Sequence, residues 1–154
     1  LAEKGSRDLR GVILKSAESW PRSVVAGILR RLFTDGAAEL RDAAVEAAAA
    51  MRIEAVKAEV GKILEEAQDE RLMVLCASYF RQVPNPAVVA VLTRISQTRP
   101  KFFGLVKGYG EETRAAAVLA LAAQGTKQAE DAVDKAVADP RIRDITRIRK
   151  IQKP

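Results

Sequence analysis

The chain contains no histidine, one cysteine and only seven aromatic residues among its 154 positions. Without an imidazole, Ser-His-Asp and Cys-His catalytic arrangements, histidine general bases and His-containing zinc sites are excluded within this chain. The single thiol, Cys76, can form neither an internal disulfide nor a CxxC metal knuckle. No uninterrupted apolar run approaches the roughly 18 to 20 residues that a membrane-spanning helix needs, and the N-terminus lacks the basic-then-apolar order of a signal peptide. The expectation is a soluble, cytoplasmic protein with no membrane span. The first residue is Leu1 rather than methionine, which suggests a processed product or a piece of a longer protein.

What is present is helical in character. Hydrophobic residues make up 48% and charged residues 30% of the chain, too apolar for disorder, and nothing alternates with the period of two that a half-buried strand requires. Apolar residues recur at spacings of three and four, which predicts helices over 7–19, 22–33, 37–51, 53–67, 69–82, 86–97, 111–124, 127–138 and 141–151, with a short helical turn near 101–107. The breaks carry recognisable chemistry. Asn85-Pro86 and Asp139-Pro140 each pair a side-chain cap with a proline at the first helical position, Gly125-Thr126 ends one helix and caps the next, and Asp35-Gly36 marks a tight break.

Alternate helices share a pattern, an arginine near the start followed by small or aliphatic residues. Arg10, Arg41, Arg71 and Arg114 carry it, and Arg143 begins a degenerate fifth copy, at successive offsets of 31, 30, 43 and 29 residues. A hairpin of two amphipathic helices, about 30 residues long, cannot bury its apolar face alone, whereas stacked hairpins share one core. The fold class expected is therefore all-α: an α-solenoid of stacked antiparallel helix pairs in one domain over 1–154, about four pairs plus a leading helix. An antiparallel helical bundle is the competing topology.

The stretches Glu39–Ala48 (ELRDAAVEAA) and Glu112–Leu121 (ETRAAAVLAL) resemble second helices of the HEAT-repeat, armadillo-like family, in the variant seen in bacterial proteins similar to phycobilisome lyases. In that family an aspartate in the turn within a repeat and an arginine early in the second helix form a ladder between neighbouring repeats. Asp35 with Arg41 matches, while Asp69 and Asp139 lie just before Arg71 and Arg143. The resemblance implies a scaffold that binds other macromolecules. For the recurring arginines the repeat logic favours pairing with carboxylates or carbonyls of a neighbour over a ligand-binding surface.

The offset of 43 marks an insertion at 98–110. Phe102, Phe103 and Tyr109 fall there beside Arg99, Lys101 and Lys107, a combination suited to anchoring a protein or stacking on bases. The other reading is a short helix whose phenylalanines plug the groove between repeats. Its glycines lack the spacing and the GK[ST] ending of a phosphate loop.

The net charge of +6 is mostly terminal. Residues 139–154 hold six Lys/Arg and two Asp, leaving 20 basic and 18 acidic residues before them. Ile142, Ile145, Ile148 and Ile151 form one stripe of the last helix, with Arg143, Arg147 and Lys150 on another face. The plainer reading is a capping helix with a solvated outer face; the functional one is a basic helix for an acidic partner. Trp20, before Pro21, is expected to staple two helices, and Cys76 to be a buried, unreactive thiol.

Together these features lead to a non-catalytic scaffold or adaptor that binds another protein, with no cofactor, no metal and no small-molecule substrate. Its partner contacts are placed at Phe102, Phe103, Lys107, Tyr109, Arg143, Arg147 and Lys150. The alternative is a nucleic-acid-binding module, which a likeness to HEAT-like alkylpurine DNA glycosylases would allow.

Overall fold

A computed structural model describes residues 12, 15–17, 19–100 and 108–151, with the backbone alone at 35 and 148–151. The described residues form helices and connecting turns, with no strand among them. Residues 12 and 15–17 are helical, and α1 (Arg22–Asp35), α2 (Ala38–Ala50), α3 (Lys57–Glu66), α4 (Glu70–Gln82), α5 (Val89–Gln97), α6 (Glu111–Ala122), α7 (Lys127–Val137) and α8 (Pro140–Ile151) follow. Short 3-10 turns, Glu54–Val56 and Pro86–Val88, lead into α3 and α5. The expected helix 7–19 lies mostly outside the described residues, and the expected turn at 101–107 lies wholly outside them. No helix among the described residues is long and apolar enough to cross a membrane.

The caps read from the sequence are made. Asn85 accepts a hydrogen bond from the Ala87 N–H, Thr126 from the Ala129 N–H and Asp139 from the Arg141 N–H, and Asp69 likewise holds the start of α4 through the Leu72 N–H. Gly36 has another role. Its backbone is extended, but a Cβ there would lie 2.4 Å from the Leu32 carbonyl oxygen, so only glycine allows the chain to double back against α1.

Packing follows a regular order. Each helix from α1 to α8 meets neighbours, and beyond the sequential pairs α2 packs on α4, α4 on α6, α6 on α8, and α5 on α7. The centre is α6, where every residue from Thr113 to Leu121 is buried. A helix apolar all round is a buried helix, and its run of alanines and aliphatics lets α4, α5, α7 and α8 approach it on all sides. Ala43, Ala44, Ala47 and Ala48 of α2 are buried in the same way, against α1 and α4. Tyr79 and Phe80 fill the space between, edge to face with ring centroids 5.1 Å apart, and the Tyr79 hydroxyl donates to the Ile53 carbonyl at 2.7 Å. Burial pushes that phenol well above its usual range.

The end of α2 carries a strained residue. The Ile53 N–H bonds the Ala48 carbonyl and the Arg52 N–H that of Ala49, the paired bonds of a Schellman cap, which places Arg52 at φ +50°. Glycine is the usual occupant there, and Gly125 at φ +63° plays that part after α6. A left-handed non-glycine residue costs roughly 1–2 kcal/mol, partly offset by the extra entropy that glycine loses on folding. Arg52→Gly is therefore expected to raise unfolding free energy by about 0.5–1 kcal/mol, read as a higher urea midpoint with an unchanged denaturant slope.

Candidate functional site

Residues 98–100 and 108–110 come together as a pinched neck between α5 and α6. The Tyr109 N–H donates to the Thr98 carbonyl at 3.1 Å, and the Thr98 hydroxyl turns back to the Arg94 carbonyl at 2.6 Å, closing the end of α5. Gly108 sits so close to the facing side of the neck that a Cβ would clash with both the Arg99 carbonyl carbon and the Pro100 nitrogen. No other residue fits. Across from it, Glu70 of α4 accepts hydrogen bonds from the Gly110 N–H at 2.9 Å and from the Thr113 hydroxyl, so a carboxylate from one helix caps the N-terminus of another.

A buried ion pair fastens the neck to the last helix. Arg114 has a side chain only 4% exposed, and donates from Nε to the Ser96 carbonyl at 3.0 Å and from both terminal nitrogens to Asp139 Oδ2 at 3.3 Å. Asp139, 11% exposed, also meets Arg99 of the neck at 3.5 Å. Burial alone would raise this carboxyl, but the Arg141 N–H, the Arg114 hydrogen bonds and the charges of Arg99 and Arg114 bring it below the usual aspartate value. One side chain thus joins α6, the neck and the start of α8.

Tyr109 stands between two clefts. One, of about 600 Å³, runs along the starts of α4 and the neck and is lined by Glu65, Glu70, Met73, Arg94 and Tyr109 among others. The other, of about 420 Å³, is lined by Arg99, Pro100, Tyr109, Glu111, Asp139 and Arg141. Arg141 reaches Glu111 across its mouth at 3.0 Å, an exposed pair. From Arg71 to Gly110 the sequence has six Lys/Arg and not one Asp or Glu; the carboxylates at these clefts come from residues on either side of that stretch.

No family model, no curated protein and no solved structure matches this chain.

Of the residues expected to contact a partner, Tyr109 is at the neck, whereas Phe102, Phe103 and Lys107 lie outside the described residues. Arg143 and Arg147 are exposed on α8, with Arg143 3.7 Å from its neighbour Asp144, and neither lines the clefts beside Tyr109. The side chain of Lys150 is likewise outside the description. Helix α8 docks through Ile142, buried with Val118 and Ala136, and through buried Thr146, which leaves Arg143 and Arg147 on a solvated face.

The recurring arginines differ from one another. Arg114 makes the ion pair above, and Arg71 is exposed beside Glu70 and Glu112. Arg41 has its Nε buried without a hydrogen-bond partner, 3.9 Å from the equally unsatisfied Asp42 Oδ1. Burial raises the Asp42 carboxyl, opposed by the charges of Arg41 and Arg71. Arg10 and the side chain of Asp35 are outside the description. Sequence reasoning set Arg99 beside the aromatics of 98–110 but did not single out Arg141 or Glu70; the Asp139-Pro140 cap was a signal near Arg141.

Trp20, expected to staple two helices, lines a cleft with residues of both, Ala17 before it and Val25 after it. It remains 46% exposed. Cys76 is fully buried in the core, and that burial, with the nearby Asp42 charge, pushes its thiol up to about 12. Cys76 is therefore expected to react with an aromatic disulfide reagent orders of magnitude more slowly in native buffer than in denaturant, because only opened molecules present a thiolate.

Proposed function

We propose that this chain is a HEAT-like α-solenoid serving as a non-catalytic, cytoplasmic scaffold or adaptor, which holds another protein against the clefts on either side of Tyr109. The succession α2, α4, α6, α8, with α5 on α7 alongside, supports a stack of helix pairs. The observation that carries the binding role is the Arg114–Asp139–Arg99 link. It ties the base of the insertion to the stack, so Tyr109 is presented between two clefts from a fixed base, with little ordering left to be done on binding. Tyrosine is among the residues that most often anchor interfaces.

The experiment is site-specific photocrosslinking in cells that express the full chain. A photoreactive phenylalanine analogue at position 109 or 94 is expected to give discrete protein adducts, and the same probe at 147 none. Adducts from 147 alone would move the contact to α8 and defeat this reading. Submicromolar binding of a labelled oligonucleotide at physiological salt, falling steeply as salt rises, would replace it with the nucleic-acid reading.

A further inference from the structure

The large apolar side chains exposed among the described residues, Val12 at 63%, Trp20 at 46% and Val24 at 48%, all fall at one end of the helical stack. Val12 and Trp20 line a cleft of about 210 Å³ whose other walls are Ala17, Val25, Ile28 and Leu29, and Val24 adjoins the lining residue Val25 in sequence. Its walls are almost wholly apolar, with Ser16 the one polar residue among them. The clefts beside Tyr109 lie elsewhere and are lined by charged groups, so this cleft is independent of the site proposed above.

The geometry points to a second docking site, one that takes an amphipathic helix of a partner protein whose bulky apolar side chains are flanked by carboxylates. The volume is below the range of small-molecule pockets and suits one or two inserted side chains, with Trp20 at the rim as the anchor. Charge selects among occupants. Lys15 precedes the lining residue Ser16, Arg22 opens α1 two residues after Trp20, and both are exposed. The described residues from 12 to 34 include Lys15, Arg22, Arg30 and Arg31 and no carboxylate; Glu18 lies outside them. Arg30 is engaged with Glu59 and the Ala55 carbonyl, which leaves Lys15, Arg22 and Arg31, each exposed and within two sequence positions of a lining residue. A second copy of this face would bring the same cations against each other. A membrane surface favours a convex apolar face that can sink among acyl chains, and this one is concave.

Trp20 is the only tryptophan in the chain, so its emission reports on the cleft directly. The full chain is titrated with a synthetic amphipathic peptide of about four helical turns, Leu on one face and Glu flanking it, and with the same peptide carrying Lys in place of Glu. The Glu peptide is expected to shift Trp20 emission to the blue saturably, and to bind at least about tenfold more tightly than the Lys peptide at low salt. Val12→Glu is expected to weaken it by about the same factor at an unchanged melting temperature, since that side chain lines the cleft and is 63% exposed; Ser16→Glu serves if Val12→Glu fails to fold. The proposal is overturned by equal affinity for the two peptides or by an unmoved Trp20 spectrum. It is also overturned by concentration-dependent dimerisation that Trp20→Ala abolishes, by tighter binding to phosphatidylserine vesicles than to the Glu peptide, or by peptide binding that appears only after residues 1–11 are removed.

Discussion

Arg114→Ala is expected to lower unfolding free energy by about 3 kcal/mol, toward the lower end of the range for breaking a buried ion pair from one side. The loss arises less from the missing attraction than from what remains. Asp139 keeps its carboxylate in a site where only 11% of the side chain reaches solvent, and the Ser96 carbonyl loses the Nε donor. Arg99 at 3.5 Å and the Arg141 N–H still serve Asp139, which is why the effect falls short of the upper end of the range, nearer 5 kcal/mol. Urea denaturation of the two proteins measures the difference. Arg114→Ala combined with Asp139→Ala is expected to cost less than the sum of the single changes, because no charge is then stranded.

The same pair sets a pH dependence. Asp139 has its carboxyl held below the ordinary aspartate value of 3.8. A depressed carboxyl contributes stability that is present in full above the unfolded value and is lost as pH falls through the folded one. The gap between wild type and Arg114→Ala is therefore expected to be flat near neutrality and to narrow below about pH 4, as Asp139 takes up a proton in both proteins. A gap that stayed constant in acid would mean that Arg114 acts mainly through the non-titrating Ser96 carbonyl.

The helices and their caps were legible because they depend on near neighbours in sequence. Asn85, Thr126 and Asp139 each bond an N–H two or three residues away, so the sequence holds both partners at fixed spacing. The starts of α3 and α5 read as plain helix because a 3-10 turn uses the same residues and differs only in its last bond. The arginine pattern was legible as a repeat but not as an environment. Arg41, Arg71 and Arg114 occupy matching places, yet the carboxylates near them differ: Asp139 at the start of α8 for Arg114, the adjacent Asp42 for Arg41, and Glu70 and Glu112 for Arg71. Asp69, at the matching place before α4, has Oδ2 engaged by the Leu72 N–H. Trp20 shows the same limit from the other side. Trp-Pro places the ring at a turn, but how much of it is covered depends on residues that periodicity does not bring to it.

The Gln124→Leu substitution is expected to cost about 2–4 kcal/mol, roughly two hydrogen-bonding groups left buried and unpaired, with a melting temperature lower by some 5–15 °C. Local sequence reasoning gives no reason for a glutamine there, and the cause lies 40 residues earlier. Helix α4 ends before Pro84, which has no N–H, so the Phe80 carbonyl has no donor four residues on. Gln124 supplies one. Its Nε2 donates to Phe80 at 3.0 Å and to Ala120 at 2.7 Å, while its Oε1 accepts from the Asn85 N–H at 2.7 Å, just past the proline. The side chain is buried, and it binds the end of α4, the turn into α5 and the end of α6 in one contact. Leucine fills a similar volume and satisfies none of these groups. Gln124→Glu offers the oxygen but no donor for Phe80, and buries a charge, so it is expected to be no better than leucine at neutral pH and to recover partly in acid, once its carboxyl is protonated and can donate. Faster amide exchange at Asn85 in Gln124→Leu, at an unchanged rate in the interior of α7, would assign the loss to this bridge; equal acceleration in both places would assign it to general loosening of the core.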